Sequence, residues 1–349
     1  MLSTRTLRQT GIIAAFVAAI LFGVGTPLAK WLLDSANPWM MAGLLYLGSG
    51  VGLGLYRLLT KAPTVHLPVS ERPWFAGAIL MGGIVAPVLL MFGLVNMPAA
   101  GASLLLNAES AFTALVAWFV FKENVDRQVA LGMIAIVAGA VVLSWPGDVH
   151  MSGLWPSLAI LGACFAWSID NNLTRKVSLA DATWIATVKG LVSGAVNLAL
   201  AFCIGASLPA LPIVASSLVL GLFAYGISLV FFVVGLRHLG AARTGAYFSV
   251  APFFGALLAV MMGDTVTIPL LAAGTLMALG VWLHLSEHHE HEHKHQDMTH
   301  DHEHVHDEHH LHEHEPPVDS GTRHSHPHRH DALTHTHAHY PDSHHRHGH

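Results

Sequence analysis

Charge is what this 349-residue sequence lacks most. Only 11% of its residues are Asp, Glu, Lys or Arg, whereas 53% are hydrophobic, and a soluble domain would carry about 25% charged residues. The mean hydropathy of +0.51 agrees with this contrast. The composition therefore excludes an ordinary soluble domain over residues 11–286 and predicts a membrane protein whose first partner is the lipid bilayer.

Cysteine and catalytic motifs are scarce as well. The two cysteines, Cys164 and Cys203, lie in apolar runs without a partner pattern, so we expect neither a disulfide framework nor a redox site. The sequence holds no nucleophile–base pair and no phosphate-binding loop. We therefore expect no enzymatic activity, no required cofactor and no nucleic-acid partner.

Long apolar segments make up most of the sequence between residues 11 and 286. A bilayer core of about 30 Å needs about 20 apolar residues per helix, and in lipid every backbone polar group must be satisfied within the segment. The segments that qualify lie near residues 11–33, 38–58, 73–96, 98–121, 128–145, 153–174, 181–204, 212–237, 240–262 and 267–286. The sequence predicts an all-α protein with ten transmembrane helices.

The basic residues of the short loops predict the orientation. Lys and Arg are retained on the cytoplasmic side of such loops. The opposite loops carry none unless Lys30 is counted, whereas one side carries Arg5, Arg8, Arg57, Lys61, Arg72, Lys122, Arg127, Arg175, Lys176, Arg237 and Arg243. We expect a multi-pass protein of the cytoplasmic membrane with both termini in the cytoplasm.

A sequence repeat organises the membrane part. The stretch from Ala99 to Glu123 returns 142 positions later as Ala241 to Thr265, with the same Ala-Ala opening and the same Ala-Leu-x-Ala run. Five spans per copy force the second copy to enter from the opposite face, which predicts inverted repeats with a site between them. We expect a cytoplasmic N-terminus (1–10), two five-helix repeats (11–147 and 148–286) and a tail (287–349).

The two copies differ at one ionisable position. The first has Glu109-Ser110 where the second has Ala251-Pro252, and a charge in mid-membrane costs at least about 2.5–3.5 kcal/mol. Glu109 should therefore face the protein interior, where it could bind a cation, carry a coupling proton or do both in competition. The alternative is a carboxyl that only fixes helix packing. Asn107 is close in sequence but points off the face of Glu109.

Further polar residues cluster near the start of the second copy. Asp170 and Asn171 lie near one end of span 6, and Lys189 lies about two turns into span 7 at a compatible depth. They predict either a buried ion pair or a part in substrate binding or gating. Pro87 and Pro252 free backbone carbonyls, which indicates a simple kink or a break that faces the substrate.

The tail from His288 to His349 holds 24 of the 28 histidines, interleaved with Asp and Glu. So few apolar residues cannot form a core, which predicts disorder. Imidazole binds nickel, cobalt, zinc and copper, and histidine-rich tracts are typical of metal binding; a pH-responsive polyampholyte and an expression tag are the alternatives. The candidate ligands are His291, His293, His295, His302, His304, His306, His312, His314, His324, His326, His328, His330, His335, His337 and His339.

The chain resembles the EamA type of the drug/metabolite transporter superfamily over residues 11–286. The likeness rests on the Gly-Leu-x4-Ala-Ala approach to spans 4 and 9, on Glu123 closing span 4, and on the stretches SIDNNLTRK (168–176) and RTGAYFSVAP (243–252). It implies a secondary transporter, usually an exporter. The tail is similar to that of histidine-tailed members associated with nickel or cobalt efflux. The second copy departs from the pattern, with Asp264-Thr265 where the first has Lys122-Glu123.

Two functions from different substrate classes follow as hypotheses. The leading one is an exporter of a divalent transition metal, nickel or cobalt first, that works by alternating access with proton exchange. The other is an exporter of a small organic metabolite or amino acid whose tail only buffers metal. A membrane-tethered metal sensor or store without transport is a third. The chain could also pair as a homodimer.

Overall fold

The computed structural model describes residues 4–120, 127–144, 154–285, 290–294, 298–304, 324–330 and 334–338. Its α-helices are α1 (Thr4–Leu33), α2 (Pro38–Leu59), α3 (Arg72–Ala78), α4 (Ala86–Val95), α5 (Ala99–Leu105), α6 (Ala108–Phe119), α7 (Arg127–Ser144), α8 (Trp155–Val177), α9 (Ala182–Cys203), α10 (Leu211–Gly221), α11 (Ser228–Phe248), α12 (Ala251–Met261) and α13 (Ile268–Leu285). A first π segment (Ile79–Val85) joins α3 to α4, and a second (Leu222–Ile227) joins α10 to α11. Arg8–Glu287 forms one compact helical unit.

Each predicted span coincides with helical structure. Within the described residues, seven stretches are long and apolar enough to cross a membrane: Gln9–Leu33, Pro38–Leu59, Arg72–Val95, Ala99–Val116, Ala182–Cys203, Leu211–Leu239 and Arg243–Met261. Two further apolar helices, Ala130–Ser144 and Ile268–Leu283, are shorter, and α8 is long but carries a polar run at 170–172. The protein is thus a helical multi-pass membrane protein, and the count of ten crossings stays a prediction.

Local sequence signals set where the two central helices begin. Asn37 precedes Pro38, and its side chain accepts a hydrogen bond from the Trp39 backbone N–H at the start of α2. Asp181 accepts one from the Trp184 N–H at the start of α9. Asn and Asp are favoured at this position because they satisfy a backbone donor that the helix itself leaves free, and proline suits the first helical turn.

Glycine packs α2 against α9. A Cβ atom at Gly50 would lie 2.3 Å from the Leu191 backbone nitrogen, and one at Gly190 would lie 2.5 Å from the Gly50 nitrogen. Any side chain at these positions would therefore push the backbones apart, as expected for close helix packing in membranes. The helices α7 and α13 pack together in the same way, with Gly280 against Gly132.

Backbone irregularities recur at matching places in the two halves of the helical unit. The first π segment begins at Ile79 and the second at Leu222. A helix is interrupted at residues 106–107 and again at 249–250. Both pairs are 143 positions apart, one more than the spacing of the sequence repeat. The spacing of these irregularities thus agrees with the sequence repeat to within one position, and the inverted arrangement of the two copies stays a prediction.

The tail differs from the expectation of disorder in four stretches. Strand β1 (Glu290–Lys294) pairs antiparallel with β4 (Thr334–Ala338), and β2 (Met298–His304) pairs antiparallel with β3 (His324–His330). The His-x-His alternation has the two-residue period of a strand. The prediction of disorder rested on the small number of apolar residues and did not use this period. The rest of the tail lies outside the described residues.

Candidate functional site

A cavity lies inside the helical unit where α1, α2, α6, α8, α9 and α11 and the second π segment meet. Its polar lining includes Glu109, Asp170, Asn171 and Lys189, which are four of the residues singled out by the sequence. Each of these side chains is at most 8% exposed. The fold therefore brings together groups that are 80 positions apart in the chain.

Glu109 owes its position to the interruption at residues 106–107. The backbone there tightens, since the Glu109 N–H donates to the Leu106 carbonyl, three residues back, at 3.0 Å. Glu109 thus lies in the first turn of α6, where the positive end of the helix dipole favours a carboxylate. The Asn171 amide donates to its Oε1 atom at 2.8 Å, and among the described residues no ion pair reaches it.

Asp170 and Lys189 form a buried ion pair, the first of the two alternatives for these residues. Asp170 precedes the end of α8 at Val177 by as many residues as Lys189 follows the start of α9 at Ala182, so at about 1.5 Å per residue their depths match. Thr174 donates a further hydrogen bond to Asp170 at 2.8 Å. Both charges are therefore compensated without solvent.

The first π segment frees two backbone carbonyls beside the cavity. The Ala86 N–H bonds to the Met81 carbonyl, which leaves the Gly82 oxygen to accept from the Tyr46 hydroxyl at 2.5 Å and the Trp167 indole at 3.0 Å. Pro87 has no N–H to offer the Gly83 oxygen, and that oxygen accepts from the Asn197 amide at 3.0 Å. Side chains thus satisfy both carbonyls.

Aromatic rings make up much of the apolar wall. Phe22 is their hub, with ring centroids 5.6 Å from Trp167, 5.7 Å from Tyr225 and 5.3 Å from Phe248. Tyr46 contacts Tyr225 at 5.3 Å, and Phe232 contacts Phe248 at 4.9 Å. The wall is therefore a connected set of rings on four helices and the second π segment.

The cavity is small in this conformation. The centres of water molecules can occupy about 60 Å³ of it, and one water needs about 10–15 Å³ on that measure. It therefore holds a few waters or the head group of a small solute. Glu109 also borders a second, smaller space lined by Ser110, Thr113 and Pro252.

One predicted site residue lies apart from the others. Asn107 is completely buried and does not line the cavity. Its amide lies 3.8 Å from the Met277 sulfur, and its Oδ1 atom has no hydrogen-bond partner in the part of the chain that the structure describes. The Asn107 side chain thus lies against α13 in this conformation, off the face of Glu109 as its two-residue spacing suggests. Its part in substrate or proton binding stays a prediction.

Three residues that make the following contacts had no predicted role: Tyr46, Trp167 and Asp264. The cavity-lining Tyr46 and Trp167 each donate to the Gly82 carbonyl, and only Gly82-Gly83 ahead of Pro87 hinted at such an acceptor. At one end of the unit, the Asp264 carboxylate accepts from the Ala100 N–H at 2.8 Å and thereby caps α5 across the repeat boundary.

The histidine ligands of the tail stay a prediction. His295, His306, His312, His314 and His339 lie outside the described residues, and the others are described by the backbone of β1 to β4 alone. Wherever the structure describes side chains, it contains no group of three or more His, Cys, Asp or Glu residues that could hold a metal ion.

Comparison with known proteins places this geometry in a family. The profile of the EamA-like transporter family matches the chain twice, over residues 9–145 and 154–286. A solved crystal structure superposes with a TM-score of 0.64 at 19% identity, over 78% of this chain and 94% of the other. At that identity the likeness concerns the fold alone.

Sequence relatives point the same way. An uncharacterized transporter of Methanothermobacter thermautotrophicus is 28% identical over 79% of this chain and 86% of its own length. A probable amino-acid metabolite efflux pump of Salmonella typhimurium is 28% identical over 49% of this chain, but the match spans only 54% of the pump. The relatives are transporters and efflux pumps, which points away from an enzyme.

Proposed function

The chain belongs to the EamA-like transporter family, and we propose that it exports a small organic solute across the cytoplasmic membrane in exchange for protons. This is the second of the functions raised by the sequence. The observation that carries it is the cavity in which a carboxylate, Glu109, lies beside a wall of aromatic rings. The name of the Salmonella relative, an amino-acid metabolite efflux pump, supports the same substrate class.

The chemistry of the lining favours an organic solute over a bare transition metal. Nickel, cobalt and zinc favour imidazole and thiolate ligands, whereas the described lining offers one carboxylate without a cationic partner and one amide, Glu109 and Asn171. The remaining carboxylate, Asp170, is held by Lys189. Aromatic faces suit apolar or cationic organic groups.

Glu109 is the proposed carrier of the coupling proton. It is 8% exposed and is held through a neutral amide of the other repeat, so its carboxyl can exchange a proton for solute without breaking the Asp170–Lys189 pair. Alternating access would then open the cavity to one side at a time, with the two repeats moving against each other.

Flux into proteoliposomes tests the proposal. The purified protein should move a labelled amino acid or its amine derivative when a pH gradient is imposed, and nickel and cobalt should not move. Glu109→Gln should abolish the gradient-driven rate, since it removes the proposed proton carrier. Asp34→Asn, at an exposed loop position, is the matched control. Metal flux without organic flux would refute the proposal.

Metal export remains a second candidate because of the tail. The His-x-His elements could capture nickel, cobalt or zinc near the inner mouth, although affinity order alone would favour copper. Cells that express the chain cut after residue 287 separate the candidates. A metal exporter would lose resistance to nickel or cobalt, whereas an exporter of organic solutes would keep its flux.

A further inference from the structure

We propose that the cavity recognises an organic monocation, a small amine attached to an aromatic or apolar group, in preference to an amino acid zwitterion. This inference rests on the proposed function and names the substrate class for the same site. It comes from the balance of charge in the lining together with the aromatic wall.

The cavity lining has a net charge of one negative unit when Glu109 is ionised. Among the described residues, the lining contains two carboxylates, Glu109 and Asp170, and a single ammonium, Lys189. Because Lys189 is bound to Asp170, the ionised Glu109 carboxylate has only the Asn171 amide as its hydrogen-bond partner among the described residues. A monocation would neutralise the site, whereas a zwitterion would leave one negative charge and an anion would leave two.

The net charge of the lining is important because its charged side chains are almost completely buried. Glu109, Asp170 and Lys189 are 8%, 4% and 1% exposed, and an unpaired charge that is withdrawn from water is strongly unfavourable. A substrate carboxylate would have to share Lys189 with Asp170. An amine instead takes the place of the proton on Glu109, so each exchange moves one positive charge in either direction.

The aromatic wall suits the same ligand. A cation is attracted to the face of Trp, Tyr or Phe when it lies within about 6 Å of the ring centroid. Phe22, Tyr46, Trp167, Tyr225, Phe232 and Phe248 all border the same cavity as Glu109. The rings that do not face the ammonium group would hold the apolar part of the solute.

Three ligands that share one ring and differ in charge test the inference: 2-phenylethylamine, L-phenylalanine and 3-phenylpropionate. Binding to the purified full-length protein in detergent is measured by isothermal titration calorimetry at neutral pH. We expect the amine to bind at least about tenfold tighter than the amino acid, since the carboxylate of the amino acid would enter the buried site without a free cationic partner, and the anion to bind most weakly.

Variants assign the effect to named residues. Glu109→Gln should weaken amine binding by about tenfold or more, and Glu109→Asp should retain part of it because the charge remains. Phe22→Leu should weaken binding of the amine about 2- to 30-fold, whereas Phe202→Leu, at an exposed ring on α9, should leave it unchanged. Thermal melting of each variant confirms that it is folded.

The outcomes separate the two proposals. If L-phenylalanine binds as tightly as the amine, or if Glu109→Gln leaves amine binding unchanged, the inference is overturned while an exporter of organic solutes stands. If none of the three ligands binds and vesicles take up only nickel or cobalt, the proposed function fails as well. A preference for the amine that disappears in Glu109→Gln supports both.

Discussion

The two repeats share a backbone plan but contribute different chemistry to the cavity. The first supplies acceptors, namely the Glu109 carboxylate and the Gly82 and Gly83 carbonyls that its π segment and Pro87 leave free. The second supplies donors to these groups through Trp167, Asn171 and Asn197. The two halves therefore contribute complementary groups to the middle of the helical unit.

The direction of donation reverses at the two ends of the helical unit. At one end, Arg57 of the first repeat donates to Asp181 of the second at 2.5 Å. Although partial burial raises the pKa of Asp181, the bonds from Thr183, the Trp184 N–H and Arg57 lower it below its usual value. At the other end, Ala100 donates to Asp264. Each half is thus tied to the other at its middle and at both ends.

Removing the ammonium group that the second repeat contributes to the cavity should have the largest effect. Lys189→Met leaves Asp170 buried without its partner, and breaking a buried pair in this way costs about 3–5 kcal/mol of unfolding free energy. The double variant Asp170→Asn with Lys189→Met should recover most of that loss, since no unpaired charge remains. Thermal and denaturant unfolding in detergent measure both.

The matched control is Lys61→Met, at an exposed position, for which we expect a change below about 0.5 kcal/mol. A double variant as unstable as the single one would show that Lys189 acts through packing and not through its charge.

Adding a side-chain atom at Gly82, where the first π segment packs closely against Asp170 of α8, should have the next largest effect on stability. A Cβ atom at Gly82 would lie 1.8 Å from the Asp170 Oδ2 atom. Gly82→Ala should therefore cost about 1–3 kcal/mol, as overpacking does, and should disturb the ion pair.

Gly54→Ala is the control for that substitution. The nearest atom to a Cβ there is 3.5 Å away, and alanine in a helix gains about 0.5–1 kcal/mol over glycine, so the two substitutions should have opposite signs. A stabilising Gly82→Ala would mean that the repeats are not held at the distance observed.

The sequence predicted the polar residues of the site better than its apolar wall. In a membrane helix, position converts into depth at about 1.5 Å per residue, so the Asp170–Lys189 pair could be anticipated from numbering alone. Glu109 stood out because a charge in an apolar segment is costly. Phe22 and Tyr225 could not be found in this way, because apolar residues fill every span and only helix packing decides which of them face the cavity.

The sequence also could not predict where the helices contain π segments or interruptions. A π segment shifts the register by one residue, and apart from the glycines before Pro87 it leaves no compositional trace. The interruption at 106–107 follows no proline either, and the sequence analysis assumed a continuous helix there. The sequence did indicate a kink or break at Pro87. It could not identify Asn197, which lies 110 positions later, as the donor to the Gly83 carbonyl that Pro87 leaves free.

Removing the hydrogen bond between the Ala100 N–H and the Asp264 carboxylate should have the smallest effect on stability. Asp264 accepts the Ala100 N–H at the start of α5, and replacing such a capping side chain with alanine costs about 1 kcal/mol. Asp264→Asn should cost less, because its amide oxygen can still accept. Hydrogen exchange resolves this locally: the Ala100 amide should exchange faster in Asp264→Ala, while the amides of α9 stay as they are and Asp34→Ala changes neither. An Ala100 amide that stays protected in Asp264→Ala would mean that packing of α5 against α12, and not this bond, joins the repeats at that end.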